Sequence, residues 1–101
     1  MSTSTVTHTE TKTDEKIKHY PRYKVFCHND NKTTMAFVVY VLQTFFGMDK
    51  TRAAVVMLKV HEEGIALVGT YTMEQAEFLI DQVHSLARAN KFPLKLTMEP
   101  E

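Results

Sequence analysis

From Tyr23 to His28 the side chains alternate, with Tyr23, Val25 and Cys27 on one side and Lys24, Phe26 and His28 on the other. A period of two reads as a strand. Asn29-Asp30-Asn31 interrupts it, because short amide and carboxylate side chains favour turns. The period then lengthens. Val38, Val41, Leu42 and Phe45 have the spacing of one buried helix face, with Thr33 placed to cap it and Gly47 to end it. Asp49 opens a second helix on which Ala53, Val56, Met57, Val60 and His61 share a face, and Gly64 is a natural stop. Ile65 to Tyr71 is rich in β-branched and aromatic residues and reads as a strand. Thr72 with Gln75 makes a capping-box pattern for a third helix lined inside by Ala76, Ile80, Val83 and Ala87. Pro93 precedes a last strand, Leu94 to Met98. The predicted order is β-α-α-β-α-β. It specifies a small α+β domain, a three-stranded antiparallel sheet with three helices packed on one face. No internal repeat is visible.

Residues 1–20 break this regularity. They are rich in Thr, Ser, Lys and Glu and nearly devoid of apolar side chains. Such a segment buries too little surface to offset its ordering entropy, so a disordered N-terminal extension is expected there and a single core domain over 21–101.

Composition narrows the function classes. At 101 residues the chain has room for one core and little beyond it. Twelve basic and twelve acidic residues balance, without a basic block, so nucleic-acid binding is not expected. No apolar run is long enough to span a bilayer, and no membrane partner is expected. The lone Cys27 rules out an intramolecular disulfide and a cysteine-rich zinc site, which fits a reducing compartment. The N-terminus lacks the apolar core of a secretory signal, and Glu10, Asp14 and Glu15 speak against a transit peptide. A bacterial cytoplasm is therefore expected ahead of a plastid stroma.

The candidate chemistry centres on His28-Asn29-Asp30-Asn31-Lys32-Thr33-Thr34-Met35 and on Val60-His61 further along. If the first two helices pack as a hairpin, the turn and His61 face each other. Asn29, Asp30 or Asn31, and a neutral His61 are the acceptor types that the three N–H donors of an α-ammonium group need. Met35, Val38, Met57 and Val60 would line an apolar pocket for the adjoining side chain, with methionine adapting to branched or aromatic shapes. On residue types alone, Asn-Asp-Asn also fits a plain turn, and His61 also fits a packed helix face. Catalysis is not expected. Cys27 and His28 point to opposite faces of a strand, and no oxyanion-hole motif accompanies them. His8, His19, His28, His61 and His84 lack metal-ligand spacing, so neither metal nor cofactor is expected.

Taken as a string, the chain resembles the ClpS family, the adaptor proteins of the bacterial and plastid Clp protease. The resemblance is carried by Tyr23-Lys24-Val25, His28-Asn29-Asp30, Thr33, Met35, Phe37-Val38, Val41-Leu42 and Phe45-Phe46. It continues through Met57-Leu58, Val60-His61, Gly64, Gly69-Thr70-Tyr71-Thr72, Glu74, Ala76-Glu77, Ala87-Arg88, Pro93-Leu94 and Met98-Glu99, covering about residues 20–99. It implies a fold similar to the C-terminal domain of the ribosomal stalk protein. It also implies a monomeric adaptor that captures N-degrons, proteins beginning with Leu, Phe, Tyr or Trp, and passes them to a hexameric Clp ATPase of the ClpA or ClpC type. By that resemblance Asn29 and His61 hold the α-amino group. Met35 is a gatekeeper, and Thr33, Val38, Met57, Val60 and Leu94 form the wall. Glu74 meets the ATPase N-terminal domain, and the extension helps deliver substrate.

The chain departs from the family pattern at several positions. Asn31 stands where a second aspartate usually helps hold the ammonium, so a charge-assisted bond becomes weaker by about 1 kcal/mol. Lys32 stands near the incoming cation, and Thr34 replaces a proline. Leu79 occupies a position on the ATPase-facing helix where a lysine is common, and Ala36 replaces a glutamate. Asn31 and Leu79 motivate an alternative: a ClpS-like regulator of a Clp ATPase with weakened or altered N-degron recognition.

Overall fold

The computed structural model describes residues 20–101, so all but the last residue of the expected N-terminal extension lies outside the described residues. The elements are β1 (Arg22–His28), α1 (Met35–Phe46), α2 (Lys50–Glu63), β2 (Ile65–Thr72), α3 (Met73–Ala89) and β3 (Lys95–Pro100). This is the predicted order. The sheet runs β2-β1-β3 with both pairings antiparallel. β1 is central, and its alternation decides which face is covered: Val25 and Cys27 are buried toward the helices. They meet Val41 and Leu42 of α1, Ala53, Val56 and Val60 of α2, and Ala76, Val83 and Ala87 of α3 in one apolar core. Among the described residues no helix is long and apolar enough to cross a membrane.

The helix ends follow local chemistry. Gly47 and Gly64 end α1 and α2 in the left-handed region, at φ of 67° and 89°. The Asp49 carboxylate accepts from Arg52 N at 2.7 Å to start α2. At the start of α3 both halves of the capping box form, with Gln75 N donating to Thr72 Oγ1 and Thr72 N donating to Gln75 Oε1. The first cap differs from expectation. Thr34, not Thr33, accepts from Phe37 N, because the Thr33 hydroxyl is already committed to Asp30. The C-terminus of α3 closes with Lys91 N donating to Arg88 O and Phe92 N donating to Ala87 O. That pair of bonds needs a left-handed residue between helix and loop, and here it is Lys91 at φ 62° where glycine is usual.

The strands also show two features beyond the predicted pattern. Val25 pairs with Gly69 but Phe26 pairs with Leu67, so Val68 is an extra residue, a bulge in β2. It lets Val68 stay buried before the register continues, and the Tyr71 ring lies over the face of Gly69 that a Cβ would fill. The last strand runs Lys95–Pro100 rather than from Leu94 to Met98. Its limits are set by pairing with β1, from His28–Lys95 to Tyr23–Pro100. A proline is tolerated there because β3 is an edge strand.

His84 ties α3 to β3. Its Nε2 accepts from Leu96 N at 2.9 Å, so the ring is neutral with the proton on Nδ1. Burial, reinforced by the nearby Arg88 charge and opposed by Asp81, holds its pKa below the ordinary histidine value. The unfolded chain therefore binds the proton more readily. The bond's contribution is present in full above the unfolded value and is lost as pH falls through the lowered one. Denaturant midpoints should fall between neutral and mildly acidic pH, and His84→Gln should flatten part of that slope. An unchanged slope in the variant would remove His84 from the effect.

Candidate functional site

The turn after β1 is built by one carboxylate. Asp30 Oδ1 accepts from Lys32 N at 2.8 Å and Thr33 N at 2.7 Å, and Oδ2 accepts from Thr33 Oγ1 at 2.7 Å. Partial burial pushes the Asp30 carboxyl up, but the Thr33 and Lys32 hydrogen bonds outweigh it and hold it below the usual range. Asp30 thus stays a fixed negative charge whose lone pairs are largely spent inside the turn. The sequence carried a signal for this, an aspartate followed by backbone donors two and three residues on, yet it did not separate that role from ligand binding.

The turn is anchored to the end of α2. Asn29 N donates to Gly64 O at 2.9 Å, immediately beyond the helix whose last turn carries His61. This bond, with the packing of α1 against α2, closes a cavity of about 270 Å³. Asn29, Asp30, Asn31 and Thr33 line it from the turn, Met35 and Val38 from α1, and Met57, Val60 and His61 from α2. Nine of the ten residues expected to hold an amino group or its side chain therefore meet at one place. Leu94 does not. It is 5% exposed, packs in the core just before β3, and is not among the residues that line the cavity.

The wall is divided chemically. Val38 and Val60 are buried and make its floor, while Met35, at 44% exposed, stands at the rim. Asn29, Asn31 and His61 are exposed, and their side chains make no hydrogen bond to other described residues. Among the described residues, nothing engages their amide oxygens and imidazole nitrogen, which face the cavity as acceptors. Its volume lies just under the ~300–1,000 Å³ usual for small-molecule sites, which suits one side chain with its amino group and not a dinucleotide. His28 is outside this group: it faces the uncovered side of the sheet, with Nε2 2.8 Å from Thr97 Oγ1.

Glu74 and Leu79, expected at an ATPase contact, both lie on α3, away from the cavity. Five residues apart, they are separated by about 140° around the helix axis, so one flat partner surface does not meet both squarely. Glu74 borders a depression with Tyr20, Pro21, Thr72 and Met73.

Cys27 is no nucleophile in this setting. It is 2% exposed, and burial, aided by the Asp30 charge, pushes its thiol up to about 12. Iodoacetamide should label the folded protein at neutral pH far more slowly than the urea-unfolded chain. Comparable rates in the two states, read by mass spectrometry, would show that the core opens around Cys27.

Comparison with known proteins bears directly on this geometry. Residues 18–97 match the family model described as "ATP-dependent Clp protease adaptor protein ClpS". The ATP-dependent Clp protease adapter protein ClpS of Desulforapulum autotrophicum is 46% identical over 93 residues, covering 92% of this chain and 89% of the relative. That of Myxococcus xanthus is also 46% identical over 93 residues, covering 92% and 87%. Among solved structures, Agrobacterium tumefaciens ClpS2 bound to L-phenylalaninamide superposes with a TM-score of 0.79 at 34% identity, over 82% of this chain and all of that one. With the matched fold, the chain belongs to the ClpS family of Clp protease adaptor proteins.

Proposed function

We propose that this protein is an N-degron adaptor: it binds the free N-terminus of a substrate whose first residue is Leu, Phe, Tyr or Trp and hands the substrate to a Clp ATPase, without catalysing a reaction. The observation that supports this reading is the joining of three acceptors, from Asn29, Asn31 and His61, none engaged by another described residue, to a cavity the size of one side chain. The phenylalaninamide carried by the Agrobacterium relative has the two features such a cavity takes, a free α-amino group and a large apolar side chain. Two terms supply the binding energy. Burying a Leu or Phe side chain contributes about 1.5–3 kcal/mol. The ammonium donors add selectivity, because an internal residue or an acetylated terminus leaves the acceptors unpaired.

In this reading Asp30 acts at one remove. Its carboxylate fixes the turn that presents Asn29 and Asn31, and its charge favours a cation nearby. That offsets part of what Asn31 loses as an amide. Thr33 holds the same turn, Val38, Met57 and Val60 hold the side chain, and Met35 guards the entrance. Glu74 on α3 remains the proposed contact with the N-terminal domain of a ClpA- or ClpC-type ATPase, with Leu79 at most at the margin of that surface and the adaptor acting as a monomer in a bacterial cytoplasm.

The test is fluorescence anisotropy with a labelled peptide beginning with Phe, beside its N-acetylated twin. The free-amine peptide should bind and the acetylated one should be weaker by tenfold or more, the cost of leaving charged-type hydrogen bonds unmade. Equal affinities would sink the amino-group site. Absence of binding to either by the folded protein would favour the regulator reading, in which the α3 surface still meets the ATPase.

A further inference from the structure

We propose that a cationic groove beside the cavity gives this adaptor a preference for substrates with acidic residues just after the N-terminal one. The proposal rests on the N-degron reading above and extends it to the residues that follow. Lys32, Arg88, Lys91, Phe92 and Pro93 line an open groove of about 730 Å³. Lys32 belongs to the turn whose neighbours Asn31 and Thr33 line the cavity, so the two depressions meet across one short loop. A substrate with its first residue in the cavity needs only the next few residues, about 3.3 Å each when extended, to reach the groove.

The charge there is local and of one sign. The whole chain has a formal net charge of zero, yet three cations and no carboxylate line this groove. Among the described residues none of the three forms an ion pair, and Arg88 uses a guanidinium N–H only toward Ser85 Oγ at 3.3 Å. The floor is firm: Phe92 packs on Phe37 with ring centroids 4.9 Å apart. Lys91 occupies the left-handed position that closes α3, at φ 62°. Glycine would adopt that conformation without penalty, so the lysine there trades backbone ease for an ammonium at the groove's edge. Aspartate or glutamate side chains at the second to fourth substrate positions match this field, and lysine or arginine there opposes it.

Three peptides test it, each starting with Phe and followed by two Glu, two Ser or two Lys. At low salt the Glu peptide should bind about 2–10-fold more tightly than the Lys peptide, the range for one or two exposed ion pairs. The gap should shrink as added salt shortens the screening length. It should reverse in an Arg88→Glu/Lys91→Glu variant, while the Ser peptide binds that variant as before. Equal binding of the Glu and Lys peptides, or a gap untouched by the charge reversal, overturns the groove assignment and leaves the cavity reading standing. If the Ser peptide also fails to bind the unmodified protein, the cavity reading fails and this proposal falls with it.

Discussion

Asn29→Ala and His61→Ala should each weaken a Phe-initiated peptide by about 10- to 100-fold, because each leaves a charged donor without its acceptor, a loss of about 1.5–3 kcal/mol. Both side chains are exposed and carry no hydrogen bond to other described residues, so neither substitution should change the unfolding midpoint appreciably. That separation is what makes the result informative. Loss of binding with stability intact assigns the acceptors to the ligand rather than to the fold. The acetylated peptide supplies the second control, since it should be insensitive to both changes. A double variant should lose less than the sum of the two, because both acceptors serve one ammonium group. Asn31→Asp should move the other way and tighten binding several-fold, restoring a charge-assisted bond. Single variants within twofold of the unmodified protein would remove these residues from the role.

Leu42→Ala should cost about 3 kcal/mol of stability, in the range for a buried leucine truncated in a packed core. Leu42 is 1% exposed and is the largest of the fully buried side chains among the described residues. It lies one turn beyond Val38, which lines the cavity, and faces the same core. A domain of this size has a total stability of roughly 4–12 kcal/mol, so the loss is a large share of it. Since each kcal/mol shifts the midpoint by about 4–8 °C in a small domain, a fall of roughly 12–24 °C is expected. Urea unfolding at constant slope is the cleaner measurement. A loss below about 1 kcal/mol would mean that the neighbours collapse into the space, against the close packing described for this core. Peptide affinity at low temperature should change much less than stability, since the acceptors sit in the turn and at the end of α2 rather than in the core.

Much of this architecture was legible in the sequence, and the reasons are local. Gly47, Gly64, Asp49 and the Thr72–Gln75 pair end or start helices through bonds within a few residues, so short-range chemistry suffices to place them. The strand alternation around Val25 and Cys27 likewise predicted which face is covered. What escaped was set by competition or by distance. Thr33 and Thr34 are equally good caps in isolation, and only the bond of Thr33 to Asp30 decides between them. The bulge at Val68 and the limits of β3 arise from pairing with β1, a strand about forty residues away for β2 and farther for β3. Leu94 was assigned to the pocket by resemblance; it is buried in the core, as the cavity residues Val38 and Val60 also are. The candidate site itself was nearly complete from residue type and helical spacing, because its members lie on a turn and on two consecutive helices. The double duty of the loop was not visible: Asp30 as its clasp, and Lys32 as part of a separate groove.

Every residue of the cavity wall lies in one uninterrupted stretch, from Asn29 to His61. The α3 positions proposed to meet the ATPase come afterwards, on a different helix. In the proposed reading, holding the first residue and engaging the machine are thus written in separate paragraphs of the chain. On that reading, a change in the first stretch retunes which first residue is taken up without rewriting the docking face, and an inherited exchange of that stretch between relatives would carry that first-residue preference with it. Drift in one surface is therefore free of the other, and paralogous adaptors can diverge in what they select while still serving one protease.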